Sequence, residues 1–193
     1  MTDSFVEKVK GFFLTPVEAF QKVRSADLST ILTYFAILVV INAILSAIVA
    51  VFWVSSSSKY PAMFGGAAGP VLVFFIVLVA EFLCTLIFGA WLHLWVYILG
   101  GRKGIMQTIS SVIHGSTPSL LLGWIPYIGI LFTLWSVVLW ALGVHELQEL
   151  STGKAILAVV IAILIPLILI AILAAYLLVS LVSINSVSAP FNA

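Results

Sequence analysis

The sequence predicts an all-α integral membrane protein: a bundle of five transmembrane helices behind an N-terminal amphipathic interfacial helix, N-terminus cytoplasmic, C-terminus outside. Three observations lead there. The chain has 193 residues, 63% of them hydrophobic and only 8% charged, where a soluble domain carries roughly a quarter charged residues to face water. The apolar residues lie in runs long enough to cross a bilayer, about 20 residues each. The few cations are placed unevenly between those runs, as the preference for cytoplasmic Lys and Arg requires.

Four runs are plain spans: 30–54, 71–99, 125–144 and 155–180. Hydrocarbon offers no partner for an open backbone, so each is expected as a helix. A fifth, 104–122 (GIMQTISSVIHGSTPSLLL), is long enough but more polar. Turn chemistry separates them: Ser55–Ser58, Pro61 and Gly65–Pro70 form a loop, Gly100-Gly101-Arg102-Lys103 a tight turn, Trp124-Ile125-Pro126 another, and Ser151-Thr152-Gly153 a short connection. With five spans and a cytoplasmic N-terminus, Lys8, Lys10, Lys22, Arg24, Arg102, Lys103 and Lys154 fall inside and only Lys59 outside. Dropping the third span would put Lys154 on the outer face. Trp91, Trp95 and Tyr97 at the inner end of the second span, and Trp124 and Tyr127 at an outer turn, suit the headgroup levels. The domains are then a cytoplasmic amphipathic segment at 1–29, a membrane domain at 30–180 and a short external tail at 181–193. The first span is too long for a signal-peptide core and reads as a retained anchor.

Ahead of it, Val6, Val9, Phe13, Val17, Phe20 and Val23 recur at steps of three and four, with charges largely elsewhere on the wheel. Thr15-Pro16-Val17-Glu18 reads as a capping box with proline at the first helical position, so a second helix is expected from Pro16 after a break. Its apolar stripe suits the cytoplasmic leaflet, with Lys8, Lys10, Lys22, Arg24, Arg102 and Lys103 as lipid-headgroup contacts; the alternative is a helix packed under the bundle.

Inside the membrane, Glu81 is the one acid or base well within an unambiguous span. A carboxylate there costs roughly 2.5–3.5 kcal/mol on the lenient scale, so it should face protein and be partnered or protonated. Gln107, Ser110, Ser111, His114 and Thr117 form a polar stripe on the third span, which should face the bundle interior or a wet cavity. Glu81 and His114 come to similar depth on neighbouring helices, so a contact between them is expected. The bland reading of the stripe is close helix packing through small and hydroxyl residues. His93 lies among interfacial aromatics. His145-Glu146 matches only half of a zinc-binding HExxH, and Glu81, Cys84, His93 and His114 have no ligand spacing that requires a metal. Gly100–Gly104 could cradle a lipid phosphate, against the simpler reading of a tight turn. No phosphate-binding, nucleophile-elbow or dinucleotide motif is present. No metal, cofactor, catalytic residue or nucleic-acid partner is therefore expected; a net charge of +1 leaves nothing to hold a polyanion.

FFLTPVEAF, then LHLWVYILGGRKGIMQTISSV, then STPSLLLGWIPYIGILFTLWSVVLWALGVHELQELSTGKA resemble the Yip1 family over nearly the whole chain. The resemblance implies a five-span protein with a cytoplasmic N-terminus. Eukaryotic relatives are associated with Rab GTPase binding through a longer N-terminal region and a DLYGP-type motif; neither is present here, so the resemblance does not carry GTPase binding over. The short form is similar to the prokaryotic branch, which implies the cell membrane. The function expected is a non-enzymatic multi-pass protein organising membrane or protein partners, or a homo-oligomer; the alternative is a transporter or channel for protons, metal ions or a small solute using Glu81 and the third-span stripe.

Overall fold

The computed structural model describes residues 4–55 and 68–188, and the described residues form helices and turns. The loop expected between the first two spans, with Lys59, and the end of the external tail lie outside those residues. The helices are α1 (Phe5–Leu14), α2 (Pro16–Val23), α3 (Leu28–Ser55), α4 (Ala68–Ile98), α5 (Ile105–Gly115), α6 (Thr117–Leu122), α7 (Gly129–Gln148) and α8 (Thr152–Ser188). Two compact units are distinguished, residues 1–159 and 160–193.

Among the described residues four helices, α3, α4, α7 and α8, are long and apolar enough to cross a membrane. The third expected span is not one helix. It breaks at Ser116 into α5 and α6 of 11 and 6 residues, because Pro118 cannot continue the ladder behind it. The turn at Trp124–Pro126 also runs longer than the sequence indicates: α7 starts at Gly129, after Tyr127 takes a left-handed φ of 65°. α8 passes through Pro166 as one helix and continues to Ser188, into the stretch expected as tail.

α2 does begin at Pro16, but the capping box sits elsewhere. Thr15 makes no side-chain cap; its N–H instead closes α1 on the Gly11 carbonyl at 2.8 Å. The reciprocal box belongs to α1, where Ser4 Oγ accepts from Glu7 N at 3.3 Å and Glu7 Oε2 accepts from Ser4 N at 2.9 Å.

The apolar face of α1 and α2 is also rotated from the expected stripe. Phe12, Ala19, Phe20 and Val23 are buried, whereas Val6 and Val17 are exposed. Phe12 and Phe20 meet edge to face at 5.1 Å and enter one core with Tyr34, Phe35, Leu38, Ile113, Leu139 and Leu147. The N-terminal helices thus pack on the bundle, and the face expected to seek lipid is largely spent on protein. Small residues allow the close approaches: a Cβ on Gly143 would lie 2.8 Å from the Phe20 ring and 2.9 Å from Ser111 Cβ, and one on Gly115 would lie 3.1 Å from the Trp140 backbone nitrogen. Outward, Val71, Phe75, Val79, Leu83 and Ile87 make an exposed ridge at steps of four along α4. In the second unit the same exposure extends over Leu167–Ile170, Leu173, Tyr176 and Leu177. Such surfaces are the lipid contact of a membrane protein.

Candidate functional site

Polar side chains gather in three places. The first is the charged end, where α2, the α4–α5 turn and the end of α7 converge. Gly100 and Gly104, with φ of 107° and 91°, bracket the Arg102-Lys103 turn. Gln148 fastens it: Oε1 accepts from Lys103 N at 3.0 Å, and Nε2 donates to Gly104 O at 2.7 Å and Thr108 Oγ1 at 2.9 Å. Thr108 Oγ1 also pairs with His93 Nδ1 at 2.8 Å.

One residue on, Glu149 caps α7 in the left-handed region at φ 54°. That conformation is uncommon for a side-chain-bearing residue, and a carboxylate at a helix C-terminus opposes the macrodipole. Two cations hold it there, Lys103 Nζ at 2.6 Å and Arg24 Nη1 at 3.0 Å. The Lys103 hydrogen bond, with the Lys103 and Arg24 charges, keeps this carboxyl below its ordinary range. Arg24 also donates to Glu146 O at 2.6 Å, Gln21 Nε2 to Glu146 Oε2 at 3.2 Å, and Gln107 Nε2 to Arg24 O at 2.9 Å. Arg102 lies 3.9 Å over the Tyr97 ring. Of the six expected headgroup contacts, Arg24 and Lys103 are therefore paired internally, while Lys8 and Lys10 have no ion-pair partner among the described residues. His145 Nδ1 bonds the Leu150 carbonyl.

The second place is the polar stripe. His114 is buried and lies between Tyr34, stacked at 5.0 Å, and Phe12 at 5.2 Å. Its Nδ1 is 2.9 Å from the Ser110 carbonyl, which can only accept, so Nδ1 carries the proton; Ser110 Oγ is at 3.1 Å. Thr117 Oγ1 donates to His114 O at 2.6 Å and meets Tyr34 Oη at 2.9 Å. Ser111 donates to Gln107 O at 2.8 Å. The stripe faces the N-terminal helices, α3 and α7 and is consumed in packing; one of its atoms, Gln107 Oε1, is buried without a partner among the described residues.

Glu81 is in the third place. No hydrogen bond or ion pair joins it to His114, and among the described residues it has no such partner at all. The expected contact fails because α5 turns His114 toward Tyr34 and Phe12, while Glu81 faces a cavity of about 460 Å³. That cavity is lined by Asn42 and Ser46 of α3, Thr85 and Phe88 of α4, Ser116 and Ser119 at the α5–α6 break, and Thr133 and Trp140 of α7. Thr85 gave no signal, since it is a lone hydroxyl in an apolar run, and Ser119 and Thr133 lie off the Gln107–Thr117 stripe.

The family model for the Yip1 domain matches residues 10–184. The chain belongs to the Yip1 family. With its long apolar helices, it is an integral, multi-pass membrane protein in contact with lipid. No curated protein and no solved structure matches this Yip1-domain chain.

Proposed function

We propose that the chain is a non-enzymatic five-span membrane protein that organises partners at the cytoplasmic face of the cell membrane, using α1 and α2 as a rigid, charged platform. One observation carries this reading: the N-terminal helices are built into the bundle by Phe12 and Phe20 and tied to α7 through Arg24, Gln21 and Glu146. A loose membrane-surface helix would not need those long-range bonds. The outward face presents both signs of charge around a groove of about 390 Å³ lined by Glu7, Lys8, Glu18 and Lys22, a surface suited to orienting a protein partner. The interrupted α5–α6 segment serves as the fifth crossing, its open backbone covered by α7 and α3. The approach of Lys103, Arg24 and Lys154 to one end supports a common cytoplasmic side: Lys154 Nζ lies 3.7 Å from where a Gly100 Cβ would be.

Orientation is checked by labelling introduced cysteines on intact cells. Ser57→Cys is expected to react from outside and Ser25→Cys only after permeabilisation; the reverse result would invert the topology. The platform is checked by photo-crosslinkers at Lys10 and Glu18 in native membranes. Discrete protein adducts that disappear with Phe12→Ala are expected. The same adducts from a crosslinker at lipid-facing Leu169 would overturn the reading.

A further inference from the structure

The uncommitted polar capacity lining the Glu81 cavity is mostly that of acceptors. Nearly every donor on it is already committed inside the protein. Ser46 donates to Asn42 Oδ1 at 3.3 Å, and Asn42 Nδ2 to Leu120 O at 2.8 Å. Ser116 donates to Val112 O at 2.8 Å, Ser119 to Ser116 O at 2.9 Å, and Thr133 to Gly129 O at 3.1 Å. Trp140 Nε1 donates to Ser116 Oγ at 3.0 Å, and Trp124 Nε1 to Leu121 O at 2.6 Å. Acceptors remain: hydroxyl lone pairs, the Asn42 amide oxygen and, dominating them, the Glu81 carboxyl group. Thr85, one helical turn from Glu81 on the same face of α4, likewise has no hydrogen-bond partner among the described residues.

Aromatic rings complete the wall. Phe88 and Trp140 form a tilted pair at 4.8 Å. Ring faces attract cations, most strongly where water is excluded. At about 460 Å³ the cavity falls within the range of small-molecule sites, and is far larger than a bare metal ion. Cys84 lines it and is exposed within a helix able to cross the membrane, so its mouth faces hydrocarbon.

We propose that this cavity binds an organic ammonium cation with an apolar body, entering from the bilayer, its N–H groups donating to Glu81 and neighbouring hydroxyl oxygens and its carbons lying against Phe88 and Trp140. The break at Ser116 acquires a purpose: it turns Ser116 and Ser119 toward the cavity at a depth where irregular backbone survives only beside protein or a cavity. The site is separate from the cytoplasmic platform, and neither reading depends on the other.

The test uses the full chain in nanodiscs of uncharged lipid, with labelled hexylammonium as probe, hexanol as its uncharged counterpart, and protein-free nanodiscs to subtract partitioning. Saturable hexylammonium binding is expected, weakened at least tenfold by the near-isosteric Glu81→Gln and about threefold by Thr85→Val, with hexanol indifferent to both. Folding of each variant is confirmed by its melting in the same nanodiscs. Equal hexylammonium affinity in wild type and Glu81→Gln would overturn the proposal. So would hexanol binding as tightly as the ammonium, or full displacement by equimolar sodium, which would indicate an alkali-cation site.

Discussion

Glu149 and Glu81 are both carboxyl-bearing residues on α-helical elements of one small bundle, and their surroundings are opposite. Glu149 sits in unfavourable backbone geometry at the negative end of α7, and Lys103 and Arg24 close on it from two other parts of the chain. Glu81 has ordinary helical surroundings, a membrane-crossing helix on which charge is costly, and no hydrogen-bond or ion-pair partner among the described residues. The difference separates two uses of polarity. Polar groups that are partnered hold the α4–α5 turn, α2 and the end of α7 together. An unpartnered one, facing a cavity whose donors are mostly committed, is set for something from outside the chain.

The comparison breaks most visibly at Phe12, which anchors the N-terminal helices beside His114 and Tyr34. Phe12→Ala is expected to cost about 3 kcal/mol or more, which is over a hundredfold in the opening equilibrium of α1. Tryptic cleavage after Lys8 and Lys10 in intact nanodiscs measures it, and unchanged cleavage would return α1 to a loosely attached surface helix.

The next effect contrasts Glu81 with His114. His114→Leu removes a stacked, hydrogen-bonded ring and should cost about 1–3 kcal/mol. Glu81→Leu removes a group with no partner and should be neutral or stabilising. The double variant should be additive within about 0.5 kcal/mol; a larger coupling in reversible unfolding would mean that the two side chains communicate after all.

The smallest effect belongs to Glu149. Its carboxyl is held below the ordinary value of 4.5, so its stabilising contribution is complete above that value and is lost as the pH falls through its lower folded value. Melting of the wild type is therefore expected to drop on acidification through that window more than that of Glu149→Gln. The difference should shrink in high salt, since the pair is half-exposed. An identical acid response in both proteins would remove the clamp from the account.

The four long helices were legible in the sequence because hydropathy is a local property: any 20-residue apolar run must satisfy its own backbone in lipid. The second helix starting at Pro16 was legible for the same kind of reason, proline being tolerated at a first helical turn and little further. The capping box was misplaced by one helix because Thr15-x-x-Glu18 and Ser4-x-x-Glu7 look alike as strings, and only the chain's path decides whether a backbone N–H is already taken. The stripe from Gln107 to Thr117 was legible as a stripe, but its direction was not. Which way α5 faces depends on Phe12 and Tyr34, 80 and more residues earlier in the chain, and on Gly143 after it. By itself, then, the sequence determined a Yip1-family membrane bundle and the presence of one costly carboxyl group within it. The tertiary structure alone decided that His114 is packed between rings, that Glu149 is clamped, and that Glu81 faces a cavity, because burial, donor commitment and partnership are set by residues far apart in the chain.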